Sequence, residues 1–301
     1  MKHNTAYPEQ DGRIMIVTGA NTGLGYETAL ALAKKGAKVI MACRNLTKAN
    51  AAKREIEKEV PTADLEVIEI DLSSLQSVRS FAKVYASKYD RLDVLVNNAG
   101  VMMPPFALTE DGFELQLAAN YLGHFLLTGL LLETLLKTAN SRVVTLSSLA
   151  HKNGKINFED LQSEKNYSAS KAYAQSKLAC LMFTFELQRR LEKAGHPQPI
   201  SVAAHPGLST TELGRHIPQL LYTVLRYTIV PLVAHTPKAG AEPTILAAIG
   251  EAAGGDYFGP TGFSEFKGAA GKATHTSLSK DEAIAERLWE VSEQLVGFEY
   301  L

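Results

Sequence analysis

The sequence predicts a single α/β domain built on a doubly wound parallel sheet. Three observations carry that reading. Short β-branched runs alternate with longer helical patterns, the rhythm of strands joined by crossover helices on both sheet faces. The first run, Ile14-Met15-Ile16-Val17, is unbroken apolar, as a buried strand is. No internal repeat, low-complexity tract or Pro/Gly/Ser-rich linker interrupts the series, so one domain is expected although 301 residues would permit two.

Taken in order, residues 14–17 form a strand and 26–35 a helix stopped near Gly36. Residues 38–42 are a second strand, 46–60 a charged amphipathic helix, 65–70 a third strand and 74–88 a helix. A fourth strand at 92–96 precedes a long helix over 112–137. Residues 142–146 are the fifth strand, 170–193 a helix and 200–204 the sixth strand. The pattern then changes: residues 208–235 hold many apolar side chains, several prolines and no clean strand, a segment long enough to close over a site. Residues 238–249 read as a helix, 256–258 as a last short strand and 281–296 as a closing helix.

The bulk composition excludes several classes. With 46% hydrophobic and 21% charged residues, there is ample apolar content for a large soluble core. A net charge of −1 gives no footprint for nucleic acid. Cys43 and Cys180 cannot make a disulfide framework and pair with no histidine, which points to a reducing compartment, the cytoplasm. His124, His151 and His205 are scattered without ligand spacing, so no metal is expected. Residues 1–12 are polar, without the apolar stretch of a signal peptide. No run of ~18 apolar residues is found; the nearest, 217–234, is interrupted by Pro218, Gln219, Arg226 and Pro231.

The first strand ends in Thr18-Gly19-Ala20-Asn21-Thr22-Gly23-Leu24-Gly25. Glycines at a strand-to-helix turn let the backbone turn tightly and let a pyrophosphate approach it, while the helix offers free N–H groups and the positive end of its dipole. A glycine-rich run alone is weak and could be an ordinary strand–helix turn, but strand and helix flank this one as a dinucleotide site requires, so binding is the reading.

The spacing Thr-Gly-x-x-x-Gly-x-Gly, then Asp71-Leu72, Asn97-Asn98-Ala99-Gly100, a Tyr-x-x-x-Lys pair and Pro206-Gly207, in that order, resembles the short-chain dehydrogenase/reductase family over about residues 13–211. The resemblance implies a Rossmann-type fold with strand order 3-2-1-4-5-6-7 and hydride transfer between a nicotinamide and a carbonyl or alcohol. By the same resemblance, Gly19, Asn21, Thr22, Gly23, Leu24 and Gly25 hold the pyrophosphate, and Asp71 and Leu72 flank the adenine. Asn97, Ala99 and Gly100 line the path to the ribose, and Pro206, Gly207 and Thr211 sit by the nicotinamide. Where an acid would hold the ribose 2′-OH of NAD, about 20 residues past the glycines, this chain has Cys43-Arg44 with Lys48 beyond. A guanidinium suits a 2′-phosphate, so NADP(H) is favoured over NAD(H).

Tyr173 and Lys177 stand four apart on a predicted helix and share a face. A free tyrosine titrates near ~10, and a nearby ammonium favours the phenolate, tuning it for proton exchange with a substrate oxygen. Tyr167 and Lys171 have the same spacing, but Tyr173 lies 33 residues before Pro206, against 39 for Tyr167. The family distance of about 30 selects Tyr173. Lys177 would also hold the nicotinamide ribose. Ser148, second of the pair Ser147-Ser148 as in the family, would orient the substrate oxygen, with Ser147 left to packing or capping. Asn120 matches the family position that holds a water in a proton relay through the lysine.

Ala42-Cys43-Arg44-Asn45, Asn120-Tyr121-Leu122-Gly123-His124-Phe125, Ser147-Ser148-Leu149-Ala150-His151 and residues 161–167 resemble the NADP-using retinol dehydrogenases and their microbial relatives, with 154–165 as an insertion beside the site. Residues 288–297 are similar to the light-dependent protochlorophyllide reductases, which however carry an extra loop before the tyrosine and a Cys-Asn-Ala-type end to the fourth strand, where this chain has Asn97-Asn98-Ala99-Gly100. The apolar residues of 217–233 fit a lid over a lipophilic small-molecule substrate, packing against the sheet or a subunit partner, or, least well, a membrane surface. A homo-oligomer is implied by resemblance alone. The alternatives to a carbonyl or alcohol oxidoreductase are protochlorophyllide-type C=C reduction and a non-catalytic NADP(H)-binding sensor. All four catalytic positions are filled, which favours the enzyme.

Overall fold

The computed structural model describes residues 7–208 and 236–301. Its strands are β1 (Ile14–Thr18), β2 (Lys38–Cys43), β3 (Asp64–Glu69), β4 (Val94–Asn97), β5 (Arg142–Leu146), β6 (Ile200–Ala204), β7 (Tyr257–Pro260) and β8 (Ala270–Lys272). They form one sheet in the order β3-β2-β1-β4-β5-β6-β7-β8. All neighbouring pairs from β3 to β7 are parallel, and β8 runs antiparallel to β7. The order is the one the resemblance implies, extended by an edge strand absent from the sequence reading. β8 is Ala-Gly-Lys, too short and too mixed to show a strand period.

The helices are α1 (Gly23–Lys34), α2 (Leu46–Glu59), α3 (Leu75–Lys88), α4 (Leu115–Lys137), α5 (Ala169–Lys193), α6 (Pro237–Ile249) and α7 (Glu282–Val296). Adjacent residues of each buried strand feed opposite faces. Met15 and Val17 join the cluster under α1, α2 and α6, whereas Ile16 joins the one under α3, α4, α5 and α7. The inner parallel strands β1, β2 and β4 are covered on both faces, so their buried residues run apolar without alternation, whereas the edge strand β3 keeps a charged face.

The long helix over 112–137 departs from expectation in two ways. It starts at Leu115, and it contains a π-helical turn, Ala118–Leu122, in which the Gly123 N–H reaches back to the Ala118 carbonyl. Length and composition would also let α4 cross a membrane, a property the sequence reading assigned to no segment; yet 83% of its most apolar window is buried inside the fold, as in a core helix.

α7 closes the face formed by α4 and α5. Trp289 stacks on Phe183 at 5.8 Å and meets Phe125 edge-on at 5.0 Å, and the Tyr300 hydroxyl donates to the Phe125 carbonyl at 3.1 Å. Tyr121 and Ser292 hydroxyls share a hydrogen bond of 2.7 Å, and the Arg190 guanidinium lies 4.6 Å over the Trp289 ring. Trp289→Ala empties the centre of this layer, so denaturant unfolding is expected to show a loss of about 3–5 kcal/mol.

Candidate active site

β1 pairs with β2 on one side and β4 on the other, so the chain leaves the sheet in opposite directions from its two central strands and a crevice opens at their carboxyl ends. The cleft there holds about 530 Å³. The glycine loop and Ala99-Gly100 form one side, Arg44, Asp71 and Leu72 the far end, and Tyr173, Lys177 and Pro206 the other wall. Gly19 has φ +68°, and a Cβ there would lie 3.1 Å from the Ala99 Cα. A Cβ on Gly25 would run into the Gly19 carbonyl and the Asn98 amide. The loop is thus packed against the end of β4 by the lack of side chains.

The amino end of α1 suits a pyrophosphate. Thr22, at the N-cap, makes no side-chain capping hydrogen bond, and the first turn holds no acid, whereas Asn45 and Ser74 cap α2 and α3. Arg44 is exposed, its Nη1 3.7 Å from Asp71 Oδ2. A second depression of about 670 Å³ continues from Asn21, Thr22 and Arg44 to Lys48, with Glu55 at its margin.

Tyr173 and Lys177 are both buried on α5, and the Lys177 Nζ lies 5.9 Å from the Tyr173 ring centre while donating to the Leu146 carbonyl at 3.0 Å. Asn120 sits in the π turn. Its Oδ1 accepts from Val101 N at 2.7 Å; its Nδ2 donates to Val101 O at 3.0 Å and to Ser176 Oγ at 2.9 Å. Ser176 in turn donates to the Tyr173 carbonyl at 2.8 Å. The structure therefore brings the loop after β4, the π turn and the Tyr173 turn together.

Ser147 donates to the Lys177 carbonyl at 2.8 Å. Ser148 caps the short 3₁₀ turn Leu149–Asn153, its Oγ accepting from Ala150 N at 3.2 Å; a hydroxyl that accepts still has its own proton to give. Beneath it, the His151 Nδ1 donates to the Ser148 carbonyl at 2.7 Å. Further along, His205 Nδ1 accepts from Gly207 N at 3.2 Å and its Nε2 faces Glu265 at 3.4 Å. Burial works to raise the Glu265 carboxyl, but His205, Thr274 and Lys152 outweigh it and hold it well below the usual carboxylate range.

Of the sequence-assigned residues, Asn120, Ser148 and Gly207 are not among those that line the cleft, where Ser147 stands in place of Ser148, and Asn97 turns away from it. The Asn97 side chain points into the core, donating to Thr128 Oγ1 at 3.0 Å, while its neighbour Asn98 lines the cleft and donates to the Thr18 carbonyl at 2.7 Å. Strand alternation separates the two, and the residues alone do not say which faces inward. Thr211 and nearly all of the proposed lid, 209–235, lie outside the described residues. Tyr167 lies outside the cleft: its hydroxyl donates to the Pro104 carbonyl at 2.8 Å and accepts from Gln116, and Lys171 is exposed. Val101, Met102, Leu115 and Ala119, which sequence reasoning did not single out, supply an apolar patch to the cleft wall. Their cue is position alone, beside the family motifs.

The short chain dehydrogenase family profile matches residues 13–219. The chain belongs to the short-chain dehydrogenase/reductase family and is an oxidoreductase of alcohols or carbonyls by class. Within it the sequence falls in the retinol-dehydrogenase-like branch. It is 44% identical to human retinol dehydrogenase 13 over 296 residues, 96% of this chain and 86% of that one. It is 42% identical to human retinol dehydrogenase 11 over 293 residues, 97% and 88% of the two chains. A solved Mycobacterium paratuberculosis structure aligns at TM-score 0.82 and 41% identity, covering 99% of this chain and 98% of that one. A Shigella flexneri short chain dehydrogenase crystallised with NADP shares the fold at TM-score 0.59 and 24% identity, covering 80% and 92%.

His124 and His151 predict a pH dependence. Burial pushes both imidazoles down to about 4, against the opposing pull of the carbonyls they bond. The unfolded chain takes up these protons near ~6.5, the folded chain only near 4, so the unfolded state binds more protons between those values. Stability is expected to fall as pH drops through that window, by up to ~3 kcal/mol per imidazole. Denaturant titrations across it, repeated on His151→Asn, which keeps the donor to Ser148, should show a shallower fall in the variant.

Proposed function

We propose that this protein moves a hydride reversibly between NADP(H) and the carbonyl or alcohol of a lipophilic small molecule. The observation that carries the reading is the buried Tyr173–Lys177 pair on one wall of a cleft floored by an uncapped glycine-loop helix. The nicotinamide, when bound, supplies or accepts the hydride. Tyr173 gives a proton to the forming alkoxide, or takes it in reverse. The Lys177 ammonium stabilises the phenolate left behind and holds the ribose. Ser148 donates to the substrate oxygen as negative charge grows there. Asn120 fixes the turn of α5 that carries Tyr173 through Ser176.

Arg44 and Lys48, flanking the depression beyond the cleft, support NADP(H) over NAD(H), since two cations there suit a 2′-phosphate. The apolar wall of Val101, Met102, Leu115 and Ala119 supports a lipophilic substrate. The names of the retinol dehydrogenases point the same way.

NADPH consumption over aldehydes and ketones of rising chain length tests the reading. Turnover should favour long apolar carbonyls. Tyr173→Phe should lower kcat by ~10²- to 10⁴-fold through loss of the acid/base, and Tyr167→Phe should stay within a few-fold of wild type. Equal loss in both variants would sink the assignment. Arg44→Asp removes a charge-assisted contact and should shift the NADPH/NADH preference by about 10- to 100-fold toward NADH; an unchanged ratio would place the discrimination elsewhere.

A further inference from the structure

We infer that His124 is a positioning residue that ties the cofactor loop to the Asn120 turn, with one ring nitrogen assigned to each. His124 lies one helical turn after Asn120 on α4 and is buried. Its Nε2 is 2.9 Å from Thr18 Oγ1 and its Nδ1 is 3.0 Å from the Asn120 carbonyl oxygen. Thr18 ends β1, immediately before the glycine loop.

The protons follow by elimination. The Asn98 and Ala99 N–H groups, each 2.9 Å from Thr18 Oγ1, can only donate. The Asn98 N–H is shared with the Val96 carbonyl at 3.0 Å, so the other ring nitrogen decides: the Asn120 carbonyl can only accept, Nδ1 must carry the hydrogen of the neutral ring, and Nε2 is left to accept. Thr18 must therefore give its own proton, and the His124 Nε2, at 2.9 Å, is a better placed acceptor than the Val96 carbonyl at 3.3 Å. Nε2 is then bare and Nδ1 carries the hydrogen, which it donates to Asn120. The buried imidazole is neutral, in agreement with its lowered titration.

The Asn120 carbonyl belongs to the π turn and also accepts from the Cys180 thiol at 3.2 Å. A polar chain thus runs from the backbone of Asn98-Ala99 through Thr18, His124 and Asn120 to Ser176 and the Tyr173 turn. One end of His124 sets the loop that meets the pyrophosphate. The other sets the carbonyl and, through it, the helix of the proton donor. The inference rests on the reading of Tyr173 and Asn120 given above.

The two halves can be separated by side chains that copy one nitrogen each. His124→Asn places an amide donor near the Nδ1 position and leaves Thr18 without its acceptor. His124→Gln reaches the Nε2 position with an acceptor and leaves Asn120 without its donor. Loss of one buried hydrogen bond predicts about a 5- to 10-fold effect. H124N should raise the NADPH dissociation constant by that factor, with kcat changed much less; H124Q should lower kcat, with NADPH binding changed much less; H124F should do both. Binding is read by NADPH fluorescence, folding by the melting temperature. Long-range ¹H–¹⁵N spectra of histidine-labelled wild type should show His124 as the Nδ1–H tautomer without titration down to about pH 5.5. Parallel changes of both constants in H124N and H124Q, a melting shift alone, or an Nε2–H tautomer would overturn the inference. If wild type binds NADPH but turns over no carbonyl, the reading of Tyr173 fails. The tautomer and the H124N affinity then still decide the role of His124.

Discussion

Everything at this site depends on a topological constraint: β1 has hydrogen-bonded neighbours on both sides, and the connections that follow β1 and β4 must part company at their carboxyl ends. Parallel strands joined by crossovers all finish at the same edge, so the loops that carry chemistry gather there without further arrangement. The glycine loop, Arg44, Asp71, the Asn98–Gly100 turn and Pro206 each follow a different strand, and all reach the crevice this divergence opens. The Tyr173–Lys177 wall comes from a helix, as do Leu115 and Ala119 of α4, and Lys177 is tied back to the carboxyl end of β5 through Leu146.

The second theme is polarity inside an apolar shell. Thr18, Asn97, Asn120, His124, Ser176 and Lys177 are all buried between the two core clusters or at their border. Buried polar groups are costly unless each finds a partner, and a satisfied network is correspondingly stiff. Here several of the partners are backbone atoms of the turn after β4, of the π turn in α4, of α5 and of the end of β5, so side-chain satisfaction also places these segments. Asn98 shows the economy of it: its amide holds the Thr18 carbonyl while its own backbone N–H is held by the Thr18 hydroxyl.

Much of this was legible in the sequence because it rests on local pattern. Apolar and β-branched runs located seven of the eight described strands to within one or two residues, and helical spacing put Tyr173 and Lys177 on one face. What was hidden is non-local or sub-periodic. A π turn adds one residue to a run that is apolar on every side, as α4 is, and leaves no gap in the pattern. The Tyr167 and Tyr173 motifs read alike; what distinguishes them in three dimensions is a hydrogen bond to Pro104, 63 positions away. His124 looked like one of several scattered histidines because its partners, Thr18 and the Asn120 carbonyl, are respectively distant and part of the main chain. Asn97 and Asn98 exchanged places for a similar reason, since adjacent identical residues carry no facing information.

The two ends of the sheet bear on how the protein behaves in a crowded solution. The margins of an open sheet offer unpaired N–H and C=O groups, a template for stacking onto a neighbour. At one margin β8 is only three residues long and turns antiparallel to the strand beside it. At the other, β3 carries Asp64, Glu66 and Glu69, with Lys38 reaching Asp64 at 2.8 Å and Lys88 reaching Glu66 at 2.5 Å. Brevity guards one border and charge the other, so the strands most able to recruit a stranger into an aggregate are the ones least suited to receive it.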